Sequence, residues 1–69
     1  MNPTYRIDYL DADERVVVIH GLTREQSMSR ARAASKANGT AYAIRTLAGN
    51  DTGQRVYHDG YFSRTDDEF

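Results

Sequence analysis

The sequence predicts an α+β domain of order ββαββ, a single helix packed on one face of a four-stranded, mostly antiparallel sheet. Three observations predict it. Short runs on both sides of a central segment alternate apolar and polar residues with the period of a strand. The central segment, Thr23 to Asn38, spaces its apolar residues as a helix does and is bracketed by a capping signal and an Asn-Gly stop. The chain has 69 residues and no cysteine, which allows one core and no disulfide or thiolate-metal staple.

The first strand is Thr4 to Leu10, with Tyr5, Ile7 and Tyr9 on one side and Arg6 and Asp8 on the other. Asp11-Ala12-Asp13-Glu14 is a polar hairpin loop. It leads into Arg15 to His20, where the β-branched run Val16-Val17-Val18-Ile19 favours a second strand. Both faces of that run are apolar. The strand is therefore expected inside the sheet, or with its second face covered by something outside this chain.

Thr23 is a favoured N-cap, and Gln26 three residues later completes a capping box, so the helix is expected over Arg24 to Asn38. Met28, Ala31, Ala34 and Ser35 gather on its buried side, while Ser29, Arg32, Ala33 and Lys36 turn outward. The buried side is made of small residues, which let a helix sit close to a sheet. Asn38-Gly39 supplies a residue able to adopt the left-handed conformation that ends helices.

A second hairpin follows. Thr40 to Leu47 alternates again, the cluster Ala48 to Gly53 makes the turn, and Gln54 to His58 returns. Asp59-Gly60 then turns the chain toward Tyr61-Phe62-Ser63. Residues 1–63 are read as one domain, and residues 64–69, with Asp66, Asp67 and Glu68, as an acidic, frayed tail.

The net charge of −1 conceals a division along the chain: residues 21–50 hold five basic residues against one acidic residue, and the two ends are acidic. Such asymmetry permits binding to acidic protein or to nucleic acid. No run approaches the ~20 apolar residues of a membrane span, and no leader-like segment opens the chain. With no cysteine, a reducing, cytoplasmic setting is expected.

Catalysis has little support. His20 and His58 stand at strand ends with no acidic residue spaced to orient either, and the glycines punctuate turns without forming a phosphate loop. Neither a metal nor an organic cofactor is expected. The acidic tail is read as solvating, with imitation of phosphates as a lesser use.

The informative constellation lies on the sheet. If Tyr5, Ile7, Val16, Val18, Tyr42, Ile44 and Val56 face the helix, alternation puts Arg6, Arg15, Val17, Ile19, Ala43, Arg45, Arg55 and Tyr57 on the open face. One helix covers only one face. Arg6, Arg45, Arg55, Tyr57, Val17 and Ile19 are therefore the leading partner-binding candidates, being residue types that anchor interfaces. Arg6 and Arg15 have another use, pairing with Asp8 or Glu14 within the first hairpin. Arg32 and Lys36 on the helix form a secondary candidate surface.

The stretch 22–60, with Ala31-Arg32-Ala33-Ala34-Ser35-Lys36, Asn38-Gly39, Tyr42-Ala43-Ile44-Arg45 and Val56-Tyr57-His58-Asp59-Gly60, resembles the very small ββαββ proteins encoded by bacteriophages, among them some anti-CRISPR proteins. The resemblance implies a stoichiometric inhibitor that occludes a surface of a host nucleic-acid-processing defence complex through basic and aromatic contacts. The expected function is thus non-catalytic binding to a protein partner. The alternatives are a nucleic-acid-binding module using arginines and Tyr57 of the open face, and a homodimer whose open faces pack together.

Overall fold

The computed structural model describes residues 2–69. The chain order is β1 (Thr4–Leu10), β2 (Val16–Leu22), α1 (Arg24–Asn38), β3 (Thr40–Leu47), β4 (Asn50–His58) and β5 (Tyr61–Asp67). The class is α+β, as expected. The sheet, however, has five strands, all paired antiparallel, in the spatial order β2-β1-β3-β4-β5.

The fifth strand joins Tyr61-Phe62-Ser63, which follow the Asp59-Gly60 turn, to the first residues of the segment expected as a frayed tail. Asp59 and Gly60 both have positive φ, 52° and 87°, the twist a two-residue hairpin turn requires. β5 therefore pairs with β4 from His58↔Tyr61 to Gly53↔Asp67. Its polar composition suits an edge strand and hides the strand period. Beyond it, Phe69 packs edge-on against Tyr5 with ring centroids 5.3 Å apart, and the Glu68 amide donates to the Thr52 carbonyl. Residues 64–69 thus belong to the sheet and the packed core margin.

α1 begins and ends where its caps stand. The Thr23 hydroxyl accepts from the Gln26 amide at 3.1 Å, the Gln26 side chain accepts from the Thr23 amide at 3.0 Å, and Gly39 (φ 106°) closes the last turn by donating to the Ser35 carbonyl. The buried stripe is Ser27, Ala31 and Ser35, all fully covered. Against it lie Ile7, Ala41, Ala43 and Tyr57, with Tyr9, Ile19, Leu22, Met28 and Ala34 around them. Small residues meet small residues, so the helix approaches the sheet closely. The Ser27 and Ser35 hydroxyls satisfy themselves on the Arg24 and Arg32 carbonyls, and Ser35 also accepts from the Gly60 amide, which ties the β4–β5 turn to the helix.

This packing reverses the expected parity of three strands. Ile7 lies opposite Ile19 and Ala43, and Ala41 lies opposite Tyr57. The helix face therefore carries Val17, Ile19, Ala41, Ala43, Arg45, Arg55 and Tyr57 beside Tyr5, Ile7 and Tyr9. The uncovered face carries Leu10, Val16, Val18, Tyr42, Ile44 and Val56 beside Arg6 and Asp8. The bulky residues had been expected under the helix. A helix with an alanine and serine stripe instead takes Ala41 and Ala43 of β3, and Tyr42 and Ile44 turn away.

Candidate functional site

The uncovered face is built in cross-strand rows. Ile44 stands between Arg6 and Gln54, and Val56 between Tyr42 and Arg64. Long side chains flank each apolar residue, which brings Ile44 to 9% and Val56 to 3% exposure although no helix covers them. The centre of this face is closed off by its own neighbours. Its β2 end is not: Leu10, Val16 and Val18 stay 49%, 70% and 43% exposed. Leu10 and Val16 are direct cross-strand partners, and both line a cleft of about 460 Å³ together with Tyr9, Tyr42 and the chain around Gly39.

β2 is an edge strand, not the interior strand that its two apolar faces suggested. Its outer backbone groups have no strand neighbour, and Val16 to Ile19 carries no charge or proline to discourage pairing. A bulge at its far end keeps both Ile19 and Leu22 against the core: Tyr5 and Ile7 pair with Leu22 and Ile19, and Gly21 takes φ 75° between them. The other edge differs. β5 carries Arg64, Asp66 and Asp67 and is itself bulged beside Val56 and Tyr57.

Both arginines of the uncovered face are paired to carboxylates. The Arg6 guanidinium donates to both carboxylate oxygens of Asp51, at 2.6 and 2.9 Å, and its Nε donates to Asp8 at 3.1 Å. The hydrogen bonds that Arg6 donates to Asp51, and the ion pair with Asp8, hold Arg6 protonated above its ordinary range, and the same bonds hold the Asp51 carboxyl below its own. Arg64 is paired with Asp66, whose carboxyl is likewise lowered, first by the Gln54 amide and then by Arg64. Pairing of Arg6 with Asp8 inside the first hairpin is thus present, with Asp51 of β4 added.

The sequence-derived candidates separate accordingly. Arg6 lies on the uncovered face. Val17 and Ile19 are half-buried on the helix side of β2, and Arg45 is held there by Thr52 at 2.8 Å with Glu68 at 3.7 Å. Arg55 and Tyr57 also lie on the helix side, where they meet Arg32: the Arg32 and Arg55 guanidinium carbons stand 5.6 and 5.9 Å from the Tyr57 ring centroid. Lys36 is exposed on α1, its aliphatic stem beside Gly60. Leu10, Val16, Val18 and Phe62 were missed. The uninterrupted valine run signalled Val18, but alternation alone does not tell which parity faces the helix.

His20 and His58 are far apart in the sheet register, His58 bonding Thr40 through Nδ1 at 2.8 Å. Among the described residues no group of three or more histidine, aspartate or glutamate side chains is placed to hold a metal ion, and no helix is long and apolar enough to cross a membrane. Comparison of the chain with family models, curated proteins and solved structures finds no match.

Proposed function

We propose that this is a non-catalytic binding protein whose β2 edge and adjoining apolar patch dock an extended, apolar segment of a protein partner. The observation that carries the reading is the conjunction at β2 of an unpaired edge with three exposed large aliphatic side chains, Leu10, Val16 and Val18. Strand addition uses such a pair of features: backbone hydrogen bonds give affinity, and alternate side chains seat in the patch. Contiguous exposed apolar surface beside polar rows is also what interaction sites present.

Nucleic acid is the weaker reading for this face. Arg6 and Arg64 are already occupied by Asp51, Asp8 and Asp66, so phosphates would have to displace carboxylates to reach them. The resemblance to small phage-encoded inhibitors supports a further step: the partner belongs to a host nucleic-acid-processing defence complex, and the domain acts by occluding a surface of it.

Affinity capture from the source cell with the wild-type chain and with Val18→Glu and Leu10→Glu variants tests the reading. A protein retained by the wild type and lost by both folded variants is the expected result. Two results overturn it: equal capture by the variants, or binding to DNA or RNA that weakens steeply with salt in place of any protein partner. Light scattering at micromolar concentration separates a third outcome, a dimer in which a second copy occupies the same edge.

A further inference from the structure

On the opposite side of the sheet, α1, β4 and β5 bring two arginines together without a counter-ion. Arg55 is half-buried, its guanidinium carbon 4.2 Å from the Phe62 ring centroid and 5.9 Å from that of Tyr57. Arg32 reaches the same Tyr57 ring from the helix at 5.6 Å. Both line a cleft of about 290 Å³ with Glu25, Met28, Ser29 and Tyr57. The arrangement is unlike that of the chain's other sheet arginines. Arg6, Arg45 and Arg64 each meet a carboxylate, whereas among the described residues neither Arg32 nor Arg55 makes an ion pair or a side-chain hydrogen bond. The Nε of Arg55 is buried with no acceptor, and the guanidinium lies over the Phe62 and Tyr57 rings. Glu25 lines the cleft but pairs with neither arginine.

We propose that this cleft is a carboxylate-binding site that takes an aspartate or glutamate side chain from a protein. Two guanidinium groups lining one cleft repel each other, and an anion held in that cleft relieves the repulsion while supplying acceptors for their nitrogens. The aromatic rings are what position the cations: Tyr57 is 2% exposed, and Phe62 meets it edge-on at 6.3 Å. The same packing argues against nucleic acid. A base has no access to the Tyr57 ring, Arg55 already lies over Phe62, and a longer polyanion leaving the cleft meets Glu25 or the acidic end of β5. A single carboxylate avoids these costs. The site is separate from the β2 edge and does not depend on the reading proposed for it.

The test is a titration of the isotope-labelled full chain, followed through the arginine Nε–H resonances, with a capped peptide bearing a single glutamate among alanines and serines and, in parallel, a six-nucleotide thymidine oligomer. The peptide is expected to shift Arg32 and Arg55 saturably while Arg6 and Arg45 stay fixed. Its affinity should fall roughly tenfold in Arg55→Lys and in Arg32→Ala, the loss of one charge-assisted contact. Arg32 is exposed on the helix, so its variant tests the site even if Arg55→Lys fails to fold. Absence of a saturable shift, equal shifts at Arg30, or tighter binding of the oligonucleotide than of the peptide would overturn the proposal.

Discussion

At the scale of single residues, the arginines divide by what their neighbours leave them to do. Arg6 is consumed by Asp51 and Asp8, and Arg45 by Thr52 and Glu68; Arg32 and Arg55 have aromatic rings and no carboxylate. The sequence carries the residue types without this division, because Asp51 comes to Arg6 only through the pairing of β1 with β3 and of β3 with β4. The Arg6–Asp51 pair has a pH signature. Arg6 depresses the Asp51 carboxyl in the folded state, so its stabilisation is complete above the unfolded value near ~3.9 and is lost as pH falls through the lower folded value. Asp51 is largely exposed, so solvent screening limits the pair to about 0.5–1 kcal/mol. Asp51→Asn should therefore lower stability by that amount at pH 7, with the difference from wild type shrinking below about pH 4. Denaturant midpoints at pH 7 and at pH 2–3 check this; a difference that does not change with pH would contradict it.

At the scale of elements, local signals were legible wherever the chemistry is local. Thr23, Gln26 and Gly39 delimit the helix in the sequence as they do in the fold, and β1 and β3 span the residues their alternation marks. Thr23→Ala should cost about 1 kcal/mol, read as a lowered unfolding midpoint. β5 was not legible, because an edge strand with little apolar burial has no period to read; only Asp59-Gly60 announced it. Its end is fixed by close approach. A Cβ at Gly53 would collide with the Glu68 backbone, and Phe69 fills the space between Tyr5 and Arg24. Phe69→Ala should thus cost roughly 1–2 kcal/mol, since the ring is partly buried, and Gly53→Ala should destabilise by a comparable amount through displacement of the same segment. Thermal unfolding of the two variants and of their combination measures both. Full additivity would argue against a shared cause.

At the scale of the whole molecule, one helix of small side chains covers one face of a five-stranded sheet, and what remains uncovered decides the candidate surface. The need for an uncovered face was readable from the valine run, but its membership was not. Parity in β2, β3 and β4 is set by how closely the helix packs, a property of Ala31 against Ala41 and Ala43 that no single strand displays. The consequence is that Arg55 and Tyr57 move to the helix side, beside Arg32, while Leu10, Val16 and Val18 emerge at the edge. Amide hydrogen exchange, on the chain alone and bound to the protein it captures, tests that edge most directly. Binding is expected to slow exchange in Val16 to Leu22 of β2 and to leave α1 unchanged; protection confined to α1, with β2 exchanging as freely as before, would rule out docking at this edge.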